Sequence, residues 1–189
     1  AQFLGAFVGA VLCWLTFKKH FDEDPDFATR ARARVVKLQG GDQETLAIWR
    51  QLIAVSLAGF NAAYQRLGVL LTDADLAGES TYNDALPEVA ADLAESGVDV
   101  VDDGALVLWV DGSDAPLIIR KSDGGYGYDT TDMAAIRHRV RELKADRIIY
   151  VTDVRQSQHF QELFEAARKA GYLPDDVEAR LLALTPATY

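Results

Sequence analysis

The stretch SDGGYGYDTTDMAAIRHRV, residues 122–140, decides how this chain folds and what it can bind. Its glycines permit a tight turn. Met133 and Ile136 then recur at the spacing of a buried helical face, and a helix is predicted over 131–144. Asp132 falls in the first turn of that helix, where a carboxylate complements the helix dipole and caps free N–H groups. It equally suits a guanidinium, which a carboxylate accepts through two hydrogen bonds. The sequence leaves both roles open.

A second polar loop is expected beside the first. Residues 116–171 alternate strand, helix, strand and helix, which predicts a βαβα unit with the apolar run 147–151 buried on both faces of a parallel sheet. The loops after such strands meet at one edge of the sheet. Tyr128, an aromatic wall with a hydroxyl, would then approach Gln156 and His159. The alternative is that Gln156 caps the second helix and His159 only packs on the surface.

Turn and capping signals predict the other elements. Helices are expected from Asp24 or Asp26 to Gly40, from Asp42 to about Gly68 and from Leu86 to Ser96, with a hairpin around 102–104 and a weakly helical tail. The second helix has a row of apolar residues spaced for one buried face. This row contains Leu46, Trp49, Ile53, Leu57, Phe60 and Tyr64.

The composition is that of a globular protein, with 49% hydrophobic and 25% charged residues. The formal net charge of -10 repels nucleic-acid phosphates over most of the surface. The basic residues within 30–37 can contact RNA or form a solvated helix face. Cys13 is the only cysteine, which excludes an intrachain disulfide and a cysteine metal site. The three histidines have no metal-binding spacing, so no metal ligands are predicted.

The segment 1–20 is predicted to be an apolar helix. Residues 3–17 carry no charge, but this run is shorter than the roughly 20 residues that span a membrane. Gly5 and Gly9 form a face of small residues that allows close helix packing in lipid. A membrane contact, a homo-oligomer contact and a buried helix are therefore alternatives for residues 3–17. The segment is similar to a membrane helix of aquaglyceroporins.

Three segments closely resemble the catalytic domain of class I arginyl-tRNA synthetases. They are FDEDPDFATRARARVVKLQGGD at 21–42, GESTY at 78–82, and PLIIRKSDGGYGYDTTDMAAIRHRVRELKADRIIYVTDVRQSQHFQELFEAARKAGYLP at 116–174. The likeness extends over about 21–182. It implies an α/β chain that forms part of a Rossmann-like nucleotide-binding fold with a helical and β-hairpin insertion.

The resemblance also implies a division into domains. The helical region with the hairpin insert is expected over 21–115. The second half of the Rossmann-like core is expected over 116–182, and a tail over 183–189.

The resemblance also implies roles for four residues. Tyr128, Asp132 and Gln156 match the residues that bind the arginine substrate, and His159 matches the histidine beside ATP. ATP is a substrate of this family, used with Mg²⁺ in the full enzyme, and tRNA(Arg) is the final acceptor. A cytoplasmic location follows from that role.

Two signatures of the family are absent from the sequence, the HIGH-type motif and the KMSKS-like loop. The expectation is a synthetase fragment that binds L-arginine and ATP for arginyl-adenylate formation but is inactive alone, with weak or absent tRNA binding. The alternatives are a non-catalytic module that binds arginine or another protein, and a folded remnant without a ligand.

Overall fold

The computed structural model describes residues 26–185, which fall into two compact units divided in the chain between Arg66 and Leu67. The predicted apolar helix over 1–20, with its contact residues 3–17, lies outside the described residues. The domain boundaries expected from the sequence stay predictions.

From residue 26 onward, the first unit contains two helices, α1 (Phe27–Gln39) and α2 (Gln43–Leu67), as predicted. Asp42 begins α2 because its Oδ1 accepts hydrogen bonds from the Thr45 backbone N–H at 2.9 Å and from the Thr45 hydroxyl at 2.6 Å. Arg34 Nη1 donates to the same hydroxyl oxygen at 2.9 Å. This contact ties α1 to the start of α2.

The apolar row of α2 is less covered than the sequence predicts. Leu46, Trp49, Leu57 and Tyr64 are half-buried, whereas Ile53 and Phe60 are exposed. The prediction of one buried face is therefore wrong for the residues described, because helical spacing defines a face but not a partner that covers it. Within 26–185, α2 is the one helix long and apolar enough to cross a membrane, with a mean hydropathy of 1.3 over an 18-residue window. Core helices of soluble proteins can have the same length and hydropathy.

The second unit begins with short 3₁₀ turns at Asp73–Asp75 and Glu79–Ala85. Its main elements are α3 (Leu86–Ser96), β1 (Val100–Asp102), β2 (Ala105–Leu108), β3 (Leu117–Arg120), α4 (Tyr128–Arg141), β4 (Arg147–Asp153), α5 (Ser157–Lys169) and β5 (Glu178–Leu184). Helix α3 ends where predicted because Gly97 adopts φ +69°, a left-handed conformation that favours glycine. The predicted hairpin is confirmed by the antiparallel pairing of β1 with β2.

The strands form two separate sheets, which corrects the predicted βαβα unit. Strand β3 pairs antiparallel with β2 in a sheet of order β1-β2-β3, whereas β4 pairs in parallel with β5. In the part of the chain that the structure describes, β3 is therefore not a parallel neighbour of β4. The connection from β2 to β3 is short, and a short connection joins antiparallel strands, because parallel strands need a long crossover.

The prediction of a weakly helical segment after Gly171 is wrong over β5, where a strand replaces the helix. Glutamate, alanine, arginine and leucine all favour helices. In the fold, however, Ala179 pairs with Ile148 and Leu181 pairs with Tyr150, and these side chains pack on the core. Pairing with β4 overrides the local preference.

The sheet of β4 and β5 is covered on one face only among the residues described. Ile149, Val151, Leu182 and Leu184 point away from the core and are exposed, with Val151 at 61%. We call these four side chains the outer sheet face. The prediction that the run 147–151 is buried on both faces is therefore corrected, although its parallel pairing is confirmed.

The core of the second unit holds α4 against its neighbours. Met133 and Ile136 of α4 are fully buried, in one cluster with Leu93 of α3, Ile119 of β3 and Leu163 of α5. Helix α4 therefore contacts α3, β3 and α5, and its first turn is held between β3 and the start of α5. That end of α4 carries the predicted site residues.

Candidate functional site

Helix α4 begins three residues earlier than predicted, at Tyr128, so Asp132 lies one turn inside it. No side-chain hydrogen bond caps the start of α4 at Gly127. Hydroxyl groups instead join the first turn to its surroundings. Thr130 donates to the backbone oxygen of Ile119 in β3, and Thr131 donates to the backbone oxygen of Tyr128 at 2.9 Å. Asp132 therefore does not cap the start of α4.

Asp132 instead meets His159 across the gap between α4 and α5. His159 Nε2 lies 2.8 Å from Asp132 Oδ2, and the Tyr128 ring packs edge-to-face on the imidazole with centroids 5.0 Å apart. The side chains of His159 and Asp132 are 20% and 25% exposed. The structure therefore brings together three of the four predicted site residues, even though β3 and β4 belong to different sheets.

Gln156, the fourth predicted residue, lies immediately before α5 and is exposed. Its side-chain oxygen accepts a hydrogen bond from the Thr152 hydroxyl at the end of β4. Its side chain makes no capping hydrogen bond to α5, so the capping interpretation is not supported. Gln156 thus lies three residues before His159, oriented by Thr152.

Asp129 is a site residue that sequence reasoning missed. It is buried, its Oδ2 accepts a hydrogen bond from the Ile118 backbone N–H at 2.8 Å, and its Oδ1 lies 3.6 Å from His159 Nδ1. The available signal was the DTTD sequence at 129–132, because residues three apart share one face of a helix. Asp129 and Asp132 together face the imidazole.

The two carboxylates shape the ionisation of the site. Burial lowers the pKa of His159. The hydrogen bond and charge of Asp132 and the charge of Asp129 raise this pKa, and together they outweigh burial, so the pKa is above its ordinary value. Burial raises the pKa of Asp129, against the opposing effects of the Ile118 N–H and His159. The charge of Asp129, followed by burial, raises the pKa of the Tyr128 hydroxyl. The site favours a cation.

A separate cavity of about 300 Å³ lies along another face of α4. Tyr82 of the GESTY segment, Glu88 and Arg137 are among its lining residues. Arg137 is ion-paired with Glu88 and lies 3.5 Å from Asp92, so its charge is already compensated. None of the four predicted site residues lines this cavity.

Comparison with known proteins shows the family of this chain. Residues 12–183 match the family model of class I tRNA synthetases (R), catalytic domain. The chain belongs to the class I arginyl-tRNA synthetase family. The match covers the whole second unit up to Ala183, including every residue of the site.

Individual arginyl-tRNA synthetases show the same relationship. The arginine–tRNA ligase of Cutibacterium acnes is 69% identical over 162 residues, which cover 86% of this chain and 29% of that protein. The Thermobifida fusca enzyme is 58% identical over 159 residues, 81% of this chain and 28% of the enzyme. The crystal structure of the Plasmodium falciparum arginyl-tRNA synthetase superposes with a TM-score of 0.72 at 31% identity, over 79% of this chain and 26% of that one.

These relationships confirm the α/β, Rossmann-like fold class and the arginyl-tRNA synthetase resemblance. The chain spans less than a third of the length of each of these relatives. The likeness of segment 1–20 to an aquaglyceroporin helix stays a prediction.

Proposed function

We propose that this chain forms the arginine-recognising part of an arginyl-tRNA synthetase catalytic domain, with Asp132 as the carboxylate that receives the guanidinium. The observation that carries the proposal is the engagement of Asp132 by a basic ring across α4 and α5, instead of by the N–H groups of its own helix. A carboxylate in this partly buried position binds a cation more strongly than one in open water. A guanidinium matches it through two hydrogen bonds.

Tyr128 and Gln156 complete the proposed arginine site. The Tyr128 side chain is 60% exposed beside His159, so its ring is available as a wall and its hydroxyl as a donor. The Gln156 amide offers both donors and acceptors to the polar groups of an amino acid, and Thr152 orients it. These three side chains come from α4 and from the segment before α5.

ATP is the second proposed substrate, and His159 is proposed to lie beside it. We also propose a cytoplasmic location for the chain, where tRNA(Arg) is charged. Within 26–185 no three His, Cys, Asp or Glu side chains are arranged to hold a metal ion, so Mg²⁺ would enter with the phosphates of ATP and not in a site built by the protein alone. The proposed contribution of this chain is to bind and orient arginine. Without the HIGH-type and KMSKS-like motifs, we expect no arginyl-adenylate from this chain alone.

Calorimetric titration of the full chain with L-arginine tests the proposal. We expect saturable binding at least about tenfold tighter than that of L-lysine, because an ammonium group cannot use both carboxylate oxygens in a planar fork. Equal affinity for the two amino acids would contradict the proposed role of Asp132. An assay with ATP and tRNA(Arg) is expected to give no arginyl-tRNA, and measurable charging would contradict the proposed inactivity.

A protein-interaction role is the second candidate, and the outer sheet face supports it. Parallel sheets are normally covered on both faces, yet Ile149, Val151, Leu182 and Leu184 are exposed here. Such a face stabilises a contact with another protein surface, including a second copy of the chain.

Self-association through this face is therefore expected. Replacing Leu182 by Lys is expected to shift sedimentation profiles toward the monomer, because a charge in an apolar contact is strongly unfavourable. The matched control is Leu143→Lys, at an exposed leucine outside this face. A wild-type chain that stays monomeric at about 100 μM, at the weak end of specific association, would exclude a homo-oligomer through the outer sheet face.

A further inference from the structure

The Asp129 carboxylate is fixed before any ligand arrives. Its Oδ2 accepts the Ile118 backbone N–H of β3 at 2.8 Å, and the residue is buried. A backbone donor in a strand cannot swing away as a side chain can, so this bond holds both the carboxylate and the start of α4. The remaining oxygen, Oδ1, is thereby directed toward α5.

The His159 ring lies between two carboxylates of α4. Its Nδ1 is 3.6 Å from Asp129 Oδ1, an ion-pair distance rather than a hydrogen bond. Its Nε2 is 2.8 Å from Asp132 Oδ2, a hydrogen bond. The rings of Tyr128 and Phe160 each pack against the imidazole at 5.0 Å between centroids. These contacts hold the imidazole against Asp132.

That position conflicts with the proposed arginine complex. A guanidinium that binds Asp132 through two parallel hydrogen bonds needs both carboxylate oxygens. His159 is already hydrogen-bonded to Oδ2, and a protonated imidazole there repels a second cation at the same carboxylate. We propose that Asp129 is a positioning residue that holds His159 on Asp132, and that an incoming guanidinium takes Asp132 by displacing the imidazole. This inference rests on the proposed function and adds a regulatory contact within the same site.

Displacement of an imidazole depends on its charge. The charged and titratable groups that face the His159 ring are Asp129, Asp132 and Tyr128 of α4 and Glu162 of α5. Asp132 and Asp129 hold the pKa of His159 above its ordinary value despite burial. Below that pKa the ring is a cation attracted by both carboxylates, and above it the ring is neutral and easier to displace. Arginine affinity is therefore expected to fall as the pH falls through the pKa of His159.

Nuclear magnetic resonance of the His159 ring without ligand tests the positioning role directly. His159→Gln assigns the signal among the three histidines. In Asp129→Asn the amide oxygen still accepts the Ile118 N–H, but the charge is lost, so the titration midpoint of His159 is expected to move to lower pH. Asp175→Asn removes the same charge from an exposed position beyond α5 and is expected to leave the midpoint unchanged. An unchanged midpoint in Asp129→Asn would overturn the inference.

Arginine titrations one pH unit below and one pH unit above the measured His159 midpoint test the displacement. Wild-type affinity is expected to be about threefold to tenfold weaker at the lower pH, since one unit of pKa corresponds to a tenfold change. In Asp129→Asn this ratio is expected to fall below about twofold. The lost charge of Asp129 also weakens the attraction for arginine equally at both pH values. This effect cancels when the affinities of one chain at the two pH values are divided. Equal ratios in the wild-type and variant chains would contradict a role for Asp129.

Saturation with arginine at the higher pH supplies a spectroscopic signature. Displacement is expected to shift the His159 ring signal toward that of a free imidazole, and an unchanged signal at saturation would overturn the displacement. If arginine binds at neither pH, the proposed function fails together with the displacement. The ligand-free titration still decides separately whether Asp129 positions His159.

Discussion

Replacing Asp132 by Asn is expected to weaken L-arginine binding by about 10- to 150-fold. A hydrogen bond to a charged group is worth about 1.5 to 3 kcal/mol, and these energies correspond to the stated range in dissociation constant. The substitution keeps the size of the side chain but removes its charge and one acceptor, so the guanidinium loses its fork. The side chain is only 25% exposed, so water cannot fully replace the lost contact.

Calorimetry on the Asp132→Asn chain measures this loss, with Asp175→Asn as the matched exposed control. The control is expected to bind within about twofold of wild type, because exposed ion pairs contribute little. The ligand-free titration midpoint of His159 is also expected to fall in Asp132→Asn, since the negative charge that favours the protonated ring is lost. Arginine affinity within twofold of wild type in a folded Asp132→Asn chain would refute the assignment of the guanidinium to Asp132.

The helices of this chain were predictable because their signals are local. Helix α3 ends at Ser96 where Gly97 adopts a left-handed conformation, and α2 begins after Asp42, which caps it. Such signals lie within one turn of the boundary that they define. The type of an element therefore follows from nearby residues.

Strand partners were not predictable in the same way. The apolar run 117–119 indicates a strand but not its neighbour. Strand β3 pairs with β2 because a short connection links them. The segment 178–184 reads as helix by propensity and becomes a strand only because β4 lies beside it. Exposure of Val151 is also a property of the assembled fold, since an apolar run cannot report what covers it.

The site residues also differ in how far the sequence predicts them. Asp132 and His159 were selected by their chemistry, and the fold then brings them within hydrogen-bond distance. Asp129 was missed because the helix was predicted to begin at 131, which left Asp129 in the preceding loop, whereas α4 begins at Tyr128. Its distinguishing property is the hydrogen bond with Ile118, 11 residues away. That contact depends on how α4 docks on β3, which no local pattern encodes.

The largest expected effect on stability comes from Leu163→Ala. Leu163 is 0% exposed at the centre of α5 and belongs to the core cluster with Met133 and Ile136 of α4. Removing its branched end loses the transfer free energy and leaves a cavity, which together cost about 2 to 5 kcal/mol. The corresponding fall in melting temperature is about 5 to 15 °C for a chain of this size.

Urea unfolding followed by circular dichroism measures this change in the free energy of unfolding. The control is Leu143→Ala, the same substitution at a leucine that is 64% exposed, for which we expect a loss of no more than about 0.5 kcal/mol. Both variants make the same chemical change, at a buried leucine in one and an exposed leucine in the other. The difference between their losses in the free energy of unfolding therefore reports the packing of α5 on α4. Equal losses would mean that α5 does not dock on α4 in solution, and the contact between His159 and Asp132 would then have no structural support.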